Sequence, residues 1–219
     1  SMQTLKLTDY EALRDETNFL AAVSPNVSSS GQLIAGNNNY PASVNGVGTE
    51  YLDIRQLSVE SGEMFTEADI QNAAKVCIIG KTIVDNLFPD GQDPIGHIIR
   101  FNQVPLRVVG VLKAKGYNSM GMDQDEIVLA PYTTVMKRML AVTYLQGIFA
   151  SALSETDVVI QPRQSNTWGP ISLDHVYEFT GGLSLTVKTL TGKEPDAYMA
   201  DYRNRTNRRM QETKEAIAV

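Results

Sequence analysis

The chain has 219 residues, of which 42% are hydrophobic and 20% are charged, so it can bury a core in one large domain or two small ones and is not a disordered chain. Its 19 Lys and Arg residues are outnumbered by 25 Asp and Glu, which gives a net charge of −6. That sign is wrong for a protein that must neutralise phosphates along a nucleic acid, so nucleic acid is not expected as a partner.

The first elements in chain order are a helix and a long hairpin. Thr8 is the expected N-cap of the helix, with Glu11 placed to complete a capping box. Residues 21–47 are rich in Ser, Asn, Val and Gly, and Gly36 with the asparagines after it lies in the middle. This pattern predicts two long strands joined by a turn, and a short turn of helix follows over 50–54.

The next segment predicts a helix, a buried strand and a second helix. Thr66 is placed to cap a short helix over 67–70. Residues 74–80 form an apolar run typical of a buried strand. A helix over 81–87 carries its apolar residues on one face, so this part of the chain is expected to form a compact α/β unit.

The stretch from Leu87 to Leu112 concentrates glycine, proline and aspartate between apolar segments. Residues 97–101 and 106–112 are rich in Ile, Val, Leu and Phe, so they pair most simply as an antiparallel hairpin. The turn formers between Leu87 and this hairpin are Asp90, Gly91, Asp93, Pro94 and Gly96. The stretch is therefore interpreted as a chain reversal and not as an active-site loop.

The rest of the chain carries weaker patterns. Residues 127–129 predict one more strand, and Pro131 is expected at the N1 position of a following helix. Residues 145–153 fit either a strand or a helix. The alternation over 183–190 predicts a half-buried strand, and a long polar helix is expected from Pro195.

Gly80, Lys81 and Thr82 lie between a predicted strand and a predicted helix, where a phosphate-binding loop would end. The full motif needs a glycine five positions before Gly80, and Lys75 occupies that position. The intervening residues favour a strand, whose N–H groups would already be paired. Lys81 is therefore expected to be a solvated residue at a helix start.

Asp123, Asp125 and Glu126 place three carboxylates within four positions, which suits a hard cation. The spacing of a calcium loop is absent, so an acidic loop leading into a strand is favoured. His97 and His175 are the only histidines and form no ligand pair of the HExxH kind. We expect no metal, no cofactor and no catalytic residue, while a carboxylate pair assembled from distant positions stays open.

Several features bear on the environment of the chain. Cys77 is the only cysteine, which excludes an internal disulfide and favours a small buried side chain. No apolar run reaches the roughly 20 residues of a membrane span and no leader opens the chain, so a soluble segment is expected. Ser1 and Met2 are typical of a cloning remnant, which predicts an excised fragment.

A group of arginines concentrates positive charge near the end of this acidic chain. A solvated helix face, paired with nearby glutamates, is the favoured interpretation. Contact with anionic lipid headgroups or an acidic partner is the alternative. The residues concerned are Arg203, Arg205, Arg208 and Arg209.

Short motifs between Leu5 and Leu140 form an ordered set that is more specific than any one member. They include Val23-Ser24-Pro25, Val47-Gly48-Thr49-Glu50-Tyr51, Asp90-Gly91-Gln92-Asp93-Pro94-Ile95-Gly96, Val108-Val109-Gly110-Val111-Leu112 and Val128-Leu129-Ala130-Pro131. Together they resemble the periplasmic core domain of MacB-type ABC transporter permeases, in the MacB/FtsX-like permease family. The resemblance implies structural roles for Gly80, Leu87, Phe88, Asp93, Pro94, Gly96, Gly110 and Pro131.

The resemblance implies an α+β fold in two lobes. A porter-like α/β lobe would be built from both chain ends, residues 3–70 and 141–219. A smaller mixed α/β lobe would be inserted over 71–140. Residues 141–182 exceed the family pattern and are interpreted as an insertion.

The resemblance also implies a function without local chemistry. Such domains lie on the periplasmic side of the bacterial inner membrane and transmit ATP-driven transmembrane motion for export or efflux of a substrate. The implied partners are the protein's own transmembrane helices, a second permease subunit, a cytoplasmic ATP-binding domain or subunit and a periplasmic adaptor. The chain itself would be non-catalytic and would bind no cofactor.

Two other functions stay open. In the first, the chain is a periplasmic binding module for a peptide or glycan, with Trp168 and Tyr177 lining the pocket. In the second, it is a small hydrolase that uses Asp123, Asp125 or Glu126, with or without a metal. Burial of both aromatic side chains would count against the binding module.

Overall fold

The computed structural model describes residues 5–16 and 20–152, together with the backbone of four later strands over 156–162, 170–171, 176–179 and 183–189. The helices are α1 Leu7–Glu16, α2 Tyr51–Arg55, α3 Glu67–Gln71, α4 Lys81–Leu87 and α5 Tyr132–Thr134, and α5 continues into a π-helix over Val135–Leu140. The strands of the first 152 residues are β1 Leu20–Ala35, β2 Asn38–Val47, β3 Val59–Gly62, β4 Val76–Ile79, β5 Ile98–Phe101, β6 Val104–Leu112, β7 Val128–Pro131 and β8 Gly147–Ala152. The later strands are β9 Thr156–Pro162, β10 Pro170–Ile171, β11 Val176–Phe179 and β12 Leu183–Thr189.

The chain divides into two compact units. The first unit combines Ser1–Val23 with Gly147–Val219, and the second consists of Ser24–Gln146. In the first unit β8 pairs antiparallel with β11, and β9 lies between β10 and β12 in a separate three-stranded sheet. The buried side chains of the α1 segment are Leu5, Tyr10 and Leu13.

Six strands of the second unit form a closed ring. β1 pairs antiparallel with β2, β2 runs parallel to β7, and β7 is antiparallel to β4. β4 runs parallel to β6, β6 pairs antiparallel with β5, and β5 returns antiparallel to β1. Each of these strands therefore has a hydrogen-bonded neighbour on both sides, and β3 adds to the end of β6 that β5 leaves open.

The ring is stabilised by apolar side chains that its strands bury, either at alternate positions or at every position. In β5 the buried residues are Ile99 and Phe101, while Ile98 and Arg100 are exposed. All four residues of β4 are buried. Burying each large apolar side chain of this core stabilises the fold by roughly 1.5–3 kcal/mol relative to leaving it exposed. The fully buried strand residues include Leu33, Val44, Cys77, Ile78, Leu106, Val108 and Leu129.

Most of the elements expected from the sequence are confirmed. The β1–β2 hairpin turns at Gly36, whose φ is +58°. The capping box of α3 is present, because the Thr66 hydroxyl accepts from the Asp69 N–H at 3.2 Å and the Asp69 carboxylate accepts from the Thr66 N–H at 2.9 Å. The strands at 74–80, 127–129 and 183–190, the helix at 81–87 and the β5–β6 hairpin also form, within a few residues of the expected bounds.

Two helix starts differ from expectation. Helix α1 begins at Leu7, so Thr8 lies inside it, and the Asp9 carboxylate accepts from the Lys6 N–H at 2.8 Å in the role expected of Glu11. Pro131 is not at N1, because it ends β7 in extended conformation, paired with Val47. The segment at 145–153, left between strand and helix, contains strand β8.

The described helices contain no span that is both long and apolar enough to cross a membrane. The polar helix expected from Pro195 lies outside the described residues.

Candidate functional site

The Leu87–Leu112 stretch reverses the chain through a short network of backbone bonds. The Asp93 carboxylate accepts from the Ile95 N–H at 3.0 Å, and the Pro94 carbonyl accepts from the His97 N–H at 3.0 Å. Gly96 has φ of +86°, and its N–H donates to the Val108 carbonyl at 2.8 Å. These contacts direct the chain into β5, which pairs with β6. This is the kind of chain reversal expected from the sequence.

Two glycines allow backbone segments to approach closely. A Cβ added at Gly80 would lie 2.3 Å from the Asp125 carbonyl oxygen and 2.6 Å from Ile127 Cγ2. A Cβ added at Gly110 would lie 2.6 Å from the Glu63 carbonyl oxygen. Both distances are shorter than non-bonded contacts allow, so any larger residue would push the neighbouring segment away.

A loop that we call the acidic loop, residues 113–127, is fastened to the start of α4. The buried Asp125 carboxylate accepts from the N–H groups of Lys115 at 2.7 Å and Gly116 at 2.9 Å. The Asp123 carboxylate accepts from the Thr82 hydroxyl at 2.6 Å and from the Asp125 N–H at 2.8 Å. These carboxylates therefore organise loop and helix through hydrogen bonds.

The third acid of the loop bonds to the hairpin. Glu126 accepts a hydrogen bond from the Tyr40 hydroxyl of β2. This hydrogen bond is the main reason that the pKa of Tyr40 is raised to about 12. Among the described residues no group of three or more metal-ligating side chains comes together.

The segment at Gly80 does not have the geometry of a phosphate loop. The Gly80 N–H donates to the Ile127 carbonyl at 2.9 Å, so it is already used. Lys81 is exposed and forms an ion pair with Asp85 at 3.2 Å. An exposed pair of this kind contributes about 0.3–0.5 kcal/mol, in keeping with the helix-start role expected for Lys81.

The remaining signature residues pack where α4 ends. Leu87 and Phe88 are buried, and the Leu87 carbonyl accepts from the Asn38 side chain at 3.2 Å. The Phe88 and His97 rings lie 5.6 Å apart in a tilted arrangement. A cleft of about 560 Å³ adjoins these residues and the tip of the β1–β2 hairpin.

The tip of the acidic loop presents apolar side chains to solvent. Tyr117, Met120 and Met122 are 73%, 76% and 57% exposed. The tip is nevertheless ordered by hydrogen bonds, because the Asn118 side chain accepts from the N–H groups of Met120 and Met122. Sequence reasoning missed this display, although Gly121 between Met120 and Met122 is typical of a turn, and its φ is +77°.

Sequence reasoning also missed the polar partners of the acidic loop. Thr82 lies 41 positions from Asp123, and Tyr40 lies 86 positions from Glu126. No local pattern joins residues so far apart. Both interpretations of the C-terminal arginines, a solvated helix face or a lipid or partner contact, concern residues outside the described ones: Arg203, Arg205, Arg208 and Arg209, and the aromatic Trp168 also lies outside them.

Comparison with known families identifies the larger part of the chain. The family described as "MacB-like periplasmic core domain" matches residues 1–160. A second family, described as "CobN/Magnesium Chelatase", matches residues 117–219, which is less than half of the chain.

Curated relatives agree with the first match. The macrolide export ATP-binding/permease protein MacB of Syntrophobacter fumaroxidans is 38% identical over 161 residues, covering 73% of this chain and 22% of the relative. The MacB of Pectobacterium atrosepticum is 34% identical over 160 residues, covering 73% of this chain and 24% of the relative. The chain thus spans about a fifth to a quarter of the length of these relatives.

Solved structures agree as well. The periplasmic region of MacB from Actinobacillus actinomycetemcomitans superposes with a TM-score of 0.58 at 29% identity, covering 67% of this chain and 64% of that one. The extracellular domain of the transporter YknZ from Gram-positive bacteria has a TM-score of 0.59 at 19% identity, covering 70% of this chain and 76% of that one, and shows the fold alone. The mixed α/β fold expected from the resemblance is confirmed, and the chain belongs to the MacB-like periplasmic core domain family of ABC transporter permeases.

Proposed function

We propose that this chain transmits the motion of transmembrane helices to the periplasm during substrate export and performs no chemistry itself. The observation that carries the proposal is the closed ring of the second unit, in which strands from distant parts of the sequence are joined on both sides. A closed and densely packed ring resists local bending, so a displacement at one end moves the whole unit.

The fastening of the acidic loop supports the same role. Thr82, Asp123 and Asp125 join the start of α4 to the loop, and Gly80 lets the two backbones touch. A displacement of α4 would therefore move the acidic loop with it, and a displacement of the loop would move α4.

The proposal includes partners outside this chain. ATP hydrolysis would occur in a cytoplasmic domain or subunit, and the protein's own transmembrane helices would carry the motion outward. A second permease subunit and a periplasmic adaptor would complete the assembly on the outer side of the bacterial inner membrane. The relatives named for macrolide export favour a macrolide-like substrate.

The test uses the full-length transporter that contains this chain. Thr82→Val keeps the side-chain shape and removes the hydroxyl that bonds to Asp123, so the clamp on α4 should loosen. We expect ATP hydrolysis to stay within about twofold of the parent and export to fall roughly fivefold. Loss of one hydrogen bond, about 1 kcal/mol, shifts the equilibrium between fastened and loosened α4 by about that factor, and only the fastened form would transmit motion. Exposed Gln92→Ala is the control. Export unchanged by Thr82→Val, or reduced only in proportion to ATP hydrolysis, would contradict mechanical transmission.

The two-lobe arrangement is also a proposal. In the proposed lobe of residues 3–70 and 141–219, the union of both chain ends is supported by the compact unit that combines Ser1–Val23 with Gly147–Val219, whereas residues 24–70 belong to the other compact unit. An inserted lobe over 71–140 would hold the turn that opens β5.

A second candidate function concerns the C-terminal region alone. The CobN/Magnesium Chelatase match reaches residue 219, while the periplasmic core match ends at residue 160. β9, β10 and β12 form a three-stranded sheet of their own, whereas β11 of the same region pairs with β8. These observations favour a chelatase-like segment at this end in place of an insertion at 141–182 and a porter-like strand and helix after it.

Deletion of residues 180–219, which keeps β11 paired with β8, separates the two interpretations. If the segment is distinct, the shortened chain should keep the melting temperature of its remaining core to within a few degrees. If the segment completes the porter-like lobe, the deletion should remove core packing and lower the melting temperature by much more. Calorimetry of both chains provides the measurement.

A further inference from the structure

A small basic cleft lies beside the β5–β6 turn, away from the acidic loop contacts described above. Two cavities of about 290 and 310 Å³ share Gln103, Val104 and Arg138 in their walls. We define the basic cleft by the lining of the second cavity: Lys75, Gln103, Val104, Pro105, Lys137 and Arg138.

The cations of the cleft are not neutralised by the described residues. Lys75 and Lys137 are exposed, and within the described part of the chain their ammonium groups make no hydrogen bond or ion pair. No carboxylate is among the residues that line either cavity. In a chain of net charge −6, this leaves a local concentration of positive charge.

Arg138 is held in place by the backbone of its neighbours. Its Nε donates to the Ala73 carbonyl at 2.6 Å, and one terminal nitrogen donates to the Asn72 carbonyl at 3.4 Å. A guanidinium has five N–H donors, so donors remain for a ligand. Because the guanidinium is already fixed by these bonds, less side-chain entropy is lost when a ligand binds.

Unusual backbone is concentrated around the cleft. Lys137 and Arg138 lie on the π-helix, a conformation that is rare and frequent at functional sites. Ala73, Asn102 and Ala141 have φ of +46°, +53° and +52°, and they are three of the four described non-glycine residues with positive φ. Ala141 is the left-handed C-cap of the π-helix and Asn102 lies in the β5–β6 turn, so these conformations fix the backbone that carries Arg138 and Gln103.

We propose that the basic cleft binds a phosphate-bearing anion. The planar fork of Arg138 suits two phosphate oxygens, and the ammonium groups of Lys75 and Lys137 add charge from the other walls. The cavities lie at the lower end of small-molecule pockets, which favours a phosphate or pyrophosphate group over a large ligand. The group belongs either to a free metabolite or to the headgroup of an anionic lipid, and the vesicle assay below distinguishes the two.

The first experiment titrates the whole 219-residue chain with pyrophosphate at constant ionic strength and follows backbone amide shifts. We expect shifts around Lys75, Gln103 and Arg138. The double variant Lys75→Gln with Lys137→Gln should weaken binding about tenfold, equivalent to 1.4 kcal/mol. Arg138 is left intact because it bonds to the backbone.

The matched control is Lys81→Gln with Lys113→Gln, which removes the same charge from exposed positions outside the cleft. It should change the dissociation constant less than twofold. Equal weakening by the control would show attraction to net charge alone and would overturn the proposal.

A sedimentation assay with vesicles of phosphatidylglycerol and phosphatidylcholine distinguishes the source of the phosphate. Vesicle binding that the cleft variant loses, without pyrophosphate binding, assigns a lipid headgroup. Pyrophosphate binding without vesicle binding assigns a free anion. Binding of neither, or binding only of a poly-glutamate peptide, overturns the proposal.

Discussion

At individual positions near α4 and in the acidic loop, the available space and the number of hydrogen bonds to be made restrict which residue fits. Gly80 has φ of −87°, which any residue can adopt, so its backbone angle does not require glycine. The requirement comes from the Asp125 carbonyl and Ile127, which occupy the space of a side chain. Asp125 in turn needs two acceptor oxygens, because it receives two backbone N–H groups.

Gly80→Ala should lower the free energy of unfolding by about 1–3 kcal/mol, since the added methyl group overpacks a backbone contact. Urea denaturation followed by circular dichroism measures the change. Gly121→Ala is the control, because an added Cβ there meets nothing within 4 Å. Any destabilisation at that position comes only from its φ of +77°. A loss at Gly80 no larger than the loss at Gly121 would contradict the contact argument.

Asp125→Asn should lower the free energy of unfolding by about 1–3 kcal/mol, because an amide has one acceptor oxygen and would leave one buried N–H unpaired. The matched control is Asp93→Asn, whose single bond to the Ile95 N–H an amide oxygen can keep. The same denaturation experiment compares the two, and equal effects would show that Asp125 is not specially needed.

Among the elements, β4 is enclosed on both edges and both faces. It pairs with β6 on one side and β7 on the other, and all four of its residues are buried. Cys77 is fully buried within it, and burial raises the pKa of its thiol to about 12. The strand can expose this thiol only if the ring opens.

Cys77 should therefore react with a thiol reagent at pH 8 only as fast as the unit unfolds. The rise in pKa from 9.0 to about 12 alone lowers the thiolate fraction about a thousandfold. Because the thiol of the unfolded chain ionises near pH 9 while the buried thiol stays protonated until about pH 12, the free energy of unfolding is unaffected below pH 9 and should fall as pH rises from 9 toward 12. Labelling with a coloured disulfide reagent, in native buffer and in urea, measures the rate. Rapid labelling of the native chain would contradict the enclosure of β4.

At the scale of the whole molecule, ring closure should make Ser24–Gln146 a single cooperative unit. The ring contains β1 and β2 together with β4 to β7, so strands on both sides of residue 70 depend on one another. Limited proteolysis with mass spectrometry should yield a protected fragment close to 24–146. A protected fragment limited to 71–140 would instead support the lobe boundaries expected from the sequence.

The sequence by itself determined most of the local elements, because their signals are local. Thr66 with Asp69 caps α3, Gly36 turns the first hairpin, and apolar alternation marks β5 and β6. These choices depend on residues within a few positions of one another, where backbone preferences and capping act directly. The family resemblance in the order of motifs was likewise visible along the chain.

Only the tertiary structure decided which strands are neighbours and which polar groups meet. The parallel pairing of β2 with β7, the return of β5 to β1, and the meeting of Thr82 with Asp123 join positions tens of residues apart. The basic cleft likewise brings Lys75 together with Lys137 and Arg138. Such contacts are selected by the packing of the complete core, since many alternative pairings satisfy the same local pattern and only one buries all of the apolar faces together.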